Sequence, residues 1–260
     1  MSEVLLALGV TLLAGAATII GGLVATHGRL SSGRGLAACL AFAAGAMVMV
    51  SVGEIIPKGT DALGRDGRAL LLTLVLVVLG AAVVLIVQQL VPRAADTPAA
   101  SVDGGAQLTR LRRSGVVVAL VVAGHNLPEG LATFVATLDD PTTGIAIAVA
   151  IAIHNVPEGV AVAAPVHAAT GSRTKALMYT TGSGLAEPVG GLLGYLLLAS
   201  VLPEAAMGAV FGLIAGMMLQ ISLSELLPAA RRFAGTSVAA TGLAGGAAVM
   251  AVSLVLLSLG

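Results

Sequence analysis

The chain has no tryptophan and only six other aromatic residues, so its helices cannot rest on aromatic packing. It has a single cysteine, Cys39, set inside an apolar run, which excludes a disulfide framework and a cysteine-based metal motif and leaves Cys39 as a small packing residue. Charge is scarce as well. Only 10% of residues are charged, the net charge is zero and no stretch is strongly basic, so a nucleic-acid partner is not expected. What replaces these groups is apolar and small: 57% hydrophobic residues, 34 glycines and a mean hydropathy of +1.03. A soluble domain carries roughly a quarter charged residues. This composition belongs in lipid, with spans that approach one another through glycine and alanine.

Apolar runs close to the roughly 20 residues needed to cross a bilayer occur eight times, at about 4–26, 36–57, 69–91, 115–138, 143–167, 175–200, 205–229 and 238–259. The expected fold is therefore an all-α integral membrane bundle of eight transmembrane helices in one domain, residues 1–260. The first run is preceded by Ser2 and Glu3, where a signal peptide would carry cations, and is expected to be retained. With the N-terminus outside, the inner loops hold ten basic residues (Arg29, Arg34, Arg93, Arg110, Arg112, Arg113, Arg173, Lys175, Arg231 and Arg232) and the outer loops three, Lys58, Arg65 and Arg68. That bias predicts a multi-pass protein of the cell (plasma or inner) membrane with both termini outside the cytoplasm. Residues 92–114, rich in Ala, Thr, Asp and Ser, read as a flexible cytoplasmic loop without histidine.

The chain also resembles itself. Ala44–Pro57 and Ala215–Pro228 agree at six of fourteen positions, and Ala17–Gly22 pairs more weakly with Ala186–Gly191 at nearly the same offset. Matched spans are separated by an odd number of spans, so the halves would be inverted, spans 1–3 against spans 6–8 with spans 4 and 5 central. Transporters built this way hold their substrate near the midplane.

The two central spans carry the chemistry. His125-Asn126-Leu127-Pro128-Glu129-Gly130 recurs as His154-Asn155-Val156-Pro157-Glu158-Gly159, each at mid-span. Positions i and i+4 share a helix face, and i+3 lies beside them, so each glutamate neighbours both its His and its Asn. Such an arrangement suits two adjacent ions bridged by carboxylates. Pro128 and Pro157 each remove a backbone donor and bend the helix, which opens polar space at membrane depth. Five of the thirteen acidic residues, Glu54, Glu129, Glu158, Glu187 and Glu225, fall inside spans, and no Lys or Arg lies in a span core. At roughly 2.5–3.5 kcal/mol per central charge, such carboxylates call for protons or metal cations. Imidazole beside carboxylate favours Zn²⁺, Fe²⁺ or Mn²⁺ over Na⁺ or Ca²⁺. Glu54 and Glu225, near opposite ends of their spans, are candidates for the entrance and the exit.

At these residues the chain resembles the ZIP (Zrt/Irt-like) family of divalent-metal transporters, most closely its bacterial ZupT branch. The two His-Asn-x-Pro-Glu-Gly motifs, Val160–Pro165 and Gly184–Glu187 carry the resemblance, which extends over all eight spans. It implies uptake into the cytosol, frequent homodimers and a binuclear centre for transported Zn²⁺, Fe²⁺ or similar ions. One position would use His125, Glu129, His154 and Glu158 with Met47 as an auxiliary ligand, and the other Asn126, Glu129, Asn155, Glu158 and Glu187. Two alternatives stay open at this stage. An intramembrane metal-dependent hydrolase would want His-Glu-x-x-His and a separate base, and a proton-coupled solute carrier would want aromatic or cationic pocket residues. Neither pattern is present, so the protein is not expected to be an enzyme.

Overall fold

The structure is a computed structural model and describes residues 2–28, 30, 33–90, 104–198 and 204–259. Every element among them is helical: α1 (Ser2–Ala25), α2 (Gly33–Val50), α3 (Ile56–Leu63), α4 (Gly67–Leu90), α5 (Gly104–Asp139), α6 (Pro141–Thr170), α7 (Arg173–Leu198), α8 (Glu204–Ile221) and α9 (Leu227–Leu259). Two π turns, Ser51–Ile55 and Ser222–Leu226, join α2 to α3 and α8 to α9 without breaking the rod.

Local chemistry sets the ends. Asp66 accepts a hydrogen bond from the backbone N–H of Ala69 at 2.7 Å and so caps α4, and Ser172 accepts one from Lys175 at 3.2 Å to cap α7. Pro141 opens α6, where a missing N–H costs nothing. Gly171, at φ +64°, closes α6 in the left-handed conformation. Inside α9, Ala234 and Gly235 leave helical geometry, with Gly235 at φ +78°, and the element bends there.

Two sequence expectations change at the boundaries. Residues 104–114, expected as the end of a loop, form the first turns of α5, a helix whose inward side is buried from Leu111 and Ser114 onward. Residues 92–103 of that expected loop lie outside the described residues. The second run, expected to stop at Pro57, continues to Leu63, since Pro57 sits in the first turn of α3, where proline does not interrupt the helix.

Among the described residues, six segments are long and apolar enough to cross a membrane, among them Gly33–Leu63 and the 52-residue run Ala205–Leu256, which contains the bend at Ala234–Gly235. Their outward faces confirm the solvent they expect. Leu70, Leu71, Leu74, Val75, Val78, Leu79 and Ile86 of α4 are all exposed, as no water-soluble helix would leave them. The interior is built by backbone approach. A methyl group at Gly159 would overlap the carbonyl of Thr18, one at Gly130 that of Glu187, one at Gly21 that of Val156 and one at Gly190 that of Leu127. These glycines draw α6 onto α1 and α7 onto α5. Gly45 and Gly246 do the same between α2 and α9, and Gly80 and Gly216 between α4 and α8. The polar residues of α5, α6 and α7 are thereby held at one level in the bundle.

Candidate metal centre

Seven of the residues singled out from sequence, His125, Asn126, Glu129, His154, Asn155, Glu158 and Glu187, are buried, none more than 5% exposed. Pro128, Pro157 and Pro188 lie inside the helices that carry them. The histidines reach across and not along their helices. His125 Nε2 of α5 stands 3.0 Å from Glu158 Oε1 of α6, and His154 Nε2 of α6 stands 3.6 Å from Glu129 Oε1 of α5. Neither contact has hydrogen-bond geometry, so His125 Nε2, His154 Nε2 and Glu158 Oε1 all remain without a hydrogen-bond partner. These are close approaches of imidazole and carboxylate with the directed bonding capacity still free.

The asparagines are oriented by the neighbouring backbone. Asn126 Nδ2 donates to the carbonyl of Ser183 on α7 and Asn155 Nδ2 to the carbonyl of Ala14 on α1, each at 2.9 Å. Asn155 also donates to Glu187 Oε1. With the amide nitrogens committed, each side chain has only its oxygen left to offer, and both Oδ1 atoms are buried and partnerless. Ser183, whose carbonyl orients Asn126, is itself tied by its hydroxyl to Ala119 O of α5 at 3.1 Å.

Among the described residues, fourteen buried side-chain polar atoms lack a hydrogen-bond partner, and ten belong to these seven residues: both nitrogens of His125 and His154, both Glu158 oxygens, Oε2 of Glu129 and Glu187, and the two Asn oxygens. A buried polar atom left unmade costs about 1–3 kcal/mol, so a concentration of this kind signals a ligand and not a core. Imidazole nitrogen, carboxylate and amide oxygen are the donor set of a divalent first-row metal. The cluster is gathered without being closed. Among the described residues no three His, Cys, Asp or Glu side chains stand together as a ready-made ion cage.

The auxiliary candidates fall elsewhere. Met47 is buried in the main apolar core. Glu54 lies in the first π turn and pairs with Lys58, Nζ to Oε1 at 2.6 Å. Glu225 occupies the second π turn and accepts a hydrogen bond from Gln88 Nε2 at 2.9 Å, while Arg113 donates to the carbonyl of Gln88. Sequence reasoning passed over Lys58 and Gln88. Lys58, expected in an outer loop, lies in α3, and its place four residues after Glu54 is a readable signal of the pair.

An all-helical apolar bundle with a buried, metal-type donor cluster defines a multi-pass membrane protein that handles cations. Comparison with known proteins gives the family. A family model described as ZIP Zinc transporter matches residues 93–254. The chain is similar to the Zinc transporter ZupT of Corynebacterium efficiens, at 46% identity over 98% of each chain. It is similar to the protein of that name in Xanthomonas axonopodis pv. citri, at 46% over 96% of this chain and 94% of the relative. The one in Lysinibacillus sphaericus is 42% identical over 98% of each chain. The chain belongs to the ZIP zinc transporter family. That is a family of transporters of divalent metal, so the hydrolase alternative is not carried further.

Proposed function

We propose that this chain imports Zn²⁺ into the cytosol, with Fe²⁺, Mn²⁺, Co²⁺ and Cd²⁺ as further substrates, through a two-ion site at the bundle midplane. The observation that carries the reading is the set of ten buried, partnerless polar atoms on seven residues of α5, α6 and α7. His125, Glu129, His154 and Glu158 would hold one ion, with Met47 in reserve, and Asn126, Glu129, Asn155, Glu158 and Glu187 the other. The two shared glutamates would bridge. Binding would replace the direct His125–Glu158 and His154–Glu129 contacts by metal bonds. The oxygen-rich position favours harder ions than the imidazole position, which is how one site set would accept several metals.

The proposed architecture is eight spans in inverted halves. The bend at Ala234–Gly235 supports counting the last 52-residue run as two spans. Corresponding contacts support the repeat. The Asn155–Ala14 bond is matched by Asn126–Ser183, and the Gly159–Thr18 approach by Gly130–Glu187. The π turns also match, each with a serine bonding four residues back at 2.7 Å, Ser51 to Met47 and Ser222 to Met218. The charge bias among loops supports termini outside the cytoplasm, and with it a cell-membrane location and a cytoplasmic 92–103 connection. A homodimer would use an outward apolar face such as that of α4.

The test is uptake of radiolabelled Zn, Fe, Mn, Co and Cd into liposomes holding the purified protein, with imposed pH and voltage gradients. Accumulation of Zn above protein-free liposomes is expected; no accumulation of any of the five metals overturns the reading.

A further inference from the structure

We propose that Lys58 is a tethered counter-cation of the metal pathway: its ammonium occupies Glu54 at the mouth of the site, and an arriving divalent cation displaces it from that carboxylate. The inference rests on the transport reading given above.

The pair is lopsided in a way that an ordinary helix-surface ion pair is not. Glu54 is only 14% exposed in its side chain, while that of Lys58 is 50% exposed. Glu54 Oε1 faces the ammonium at 2.6 Å, whereas its Oε2 is buried and partnerless. One oxygen is thus turned to the water-side cation and the other into the protein. The charges reach the centre as well: Glu54 acts electrostatically on His154, and Lys58 on Glu129. Glu54 and Lys58 are thus both within electrostatic reach of the buried donors.

The matching carboxylate in the other π turn is treated differently. Glu225 accepts its hydrogen bond from the neutral amide of Gln88, not from a lysine four residues on, where Ala229 stands. The chain thus places a mobile positive charge on one of two equivalent carboxylates. By the charge bias of the loops, that one lies on the outer side, where metal would enter.

An ammonium on a flexible four-carbon stem binds a carboxylate as a point charge and leaves without backbone movement. A divalent ion outcompetes it because it carries twice the charge and can also engage Oε2. A monovalent ion has no such advantage, so the lysine sets a threshold that screens for multivalent cations. Lys58 would then weaken the apparent affinity for metal by the worth of a half-exposed pair, roughly two- to fivefold.

The experiment measures initial Zn²⁺ uptake against concentration in proteoliposomes of the full chain, for wild type, Lys58→Gln, Lys58→Arg, Glu54→Gln and the Lys58→Gln/Glu54→Gln double variant. The exposed Arg68 at the same end supplies the control Arg68→Gln. Expected is a two- to fivefold fall in KM for Lys58→Gln without a higher maximal rate, wild-type KM for Lys58→Arg and Arg68→Gln, and no effect of Lys58→Gln once Glu54 is glutamine. An unchanged KM in Lys58→Gln beside active wild type overturns this inference alone. So does an equal fall in Arg68→Gln, or a fall that persists in the double variant. Wild-type liposomes that take up no Zn²⁺ overturn the transport reading and this inference with it.

Discussion

His125 and Glu158 face one another from neighbouring helices, Nε2 to Oε1 at 3.0 Å, with neither side chain exposed. The contact ties α5 to α6 at the level where a metal would sit, and both Glu158 oxygens still lack a hydrogen-bond partner. Two buried, partnerless carboxylate oxygens cost the fold about 1–3 kcal/mol each unless a cation meets them.

That cost predicts opposite effects on stability and transport. Glu158→Gln removes a buried charge while keeping the shape, so the metal-free variant should melt no lower than wild type, and its Zn²⁺ uptake should fall at least tenfold. Zn²⁺ at a hundred times its Kd should stabilise wild type by about 2.7 kcal/mol and the variant hardly at all. Thermal unfolding with and without metal, alongside uptake at matched protein level, checks both halves. Undiminished uptake sinks the central site.

The two ion positions should be separable. In the proposed division, Glu187 and the Asn155 that donates to it would form the oxygen-rich position, and His154 would supply imidazole to the other. Glu187→Gln should change the ratio of Fe to Zn uptake, and His154→Ala should lower Zn uptake most. Competition uptake on matched membranes decides it, and equal proportional loss of every metal in both variants removes the two-position assignment.

Helix contact through glycine can be tested away from the site. A methyl at Gly45 would overlap the carbonyl of Leu243, whereas one at Gly245 meets nothing within 4 Å. Gly45→Ala should destabilise the detergent-solubilised protein by about 1–3 kcal/mol, and Gly245→Ala should not. Melting temperatures of the pair measure this, and equal behaviour would mean that α2 and α9 do not touch there.

Orientation has its own measurement. With termini outside, a cysteine introduced by Ser2→Cys in a Cys39→Ala background should react with an impermeant thiol reagent on intact cells. Protection until lysis would invert the topology.

The long apolar helices were legible because lipid demands long apolar runs, and the buried polar residues because His-Asn-x-Pro-Glu-Gly occurs twice at mid-run. Their partners were not. A 100° step per residue groups His125 with Glu129 on one face, but only tertiary packing determines that His125 stands against Glu158. Likewise, nothing in Ala14 or Ser183 advertises a carbonyl that orients an asparagine, since any residue could supply it. The start of α5 at Gly104 escaped because polar, small residues there read as linker, although a helix leaving the bilayer can carry them.

The π turns at 51–55 and 222–226 also set how scanning mutagenesis of these rods will read. A π turn holds one residue beyond the α-helical register, and one residue corresponds to about 100° of rotation. Along Gly33–Leu63, the repeating pattern of reagent accessibility should therefore slip phase between Val50 and Ile56. A single helical wheel drawn through the whole rod would assign Lys58 and Asp61 to the wrong face. Two wheels, one on each side of the turn, keep them on the face they occupy.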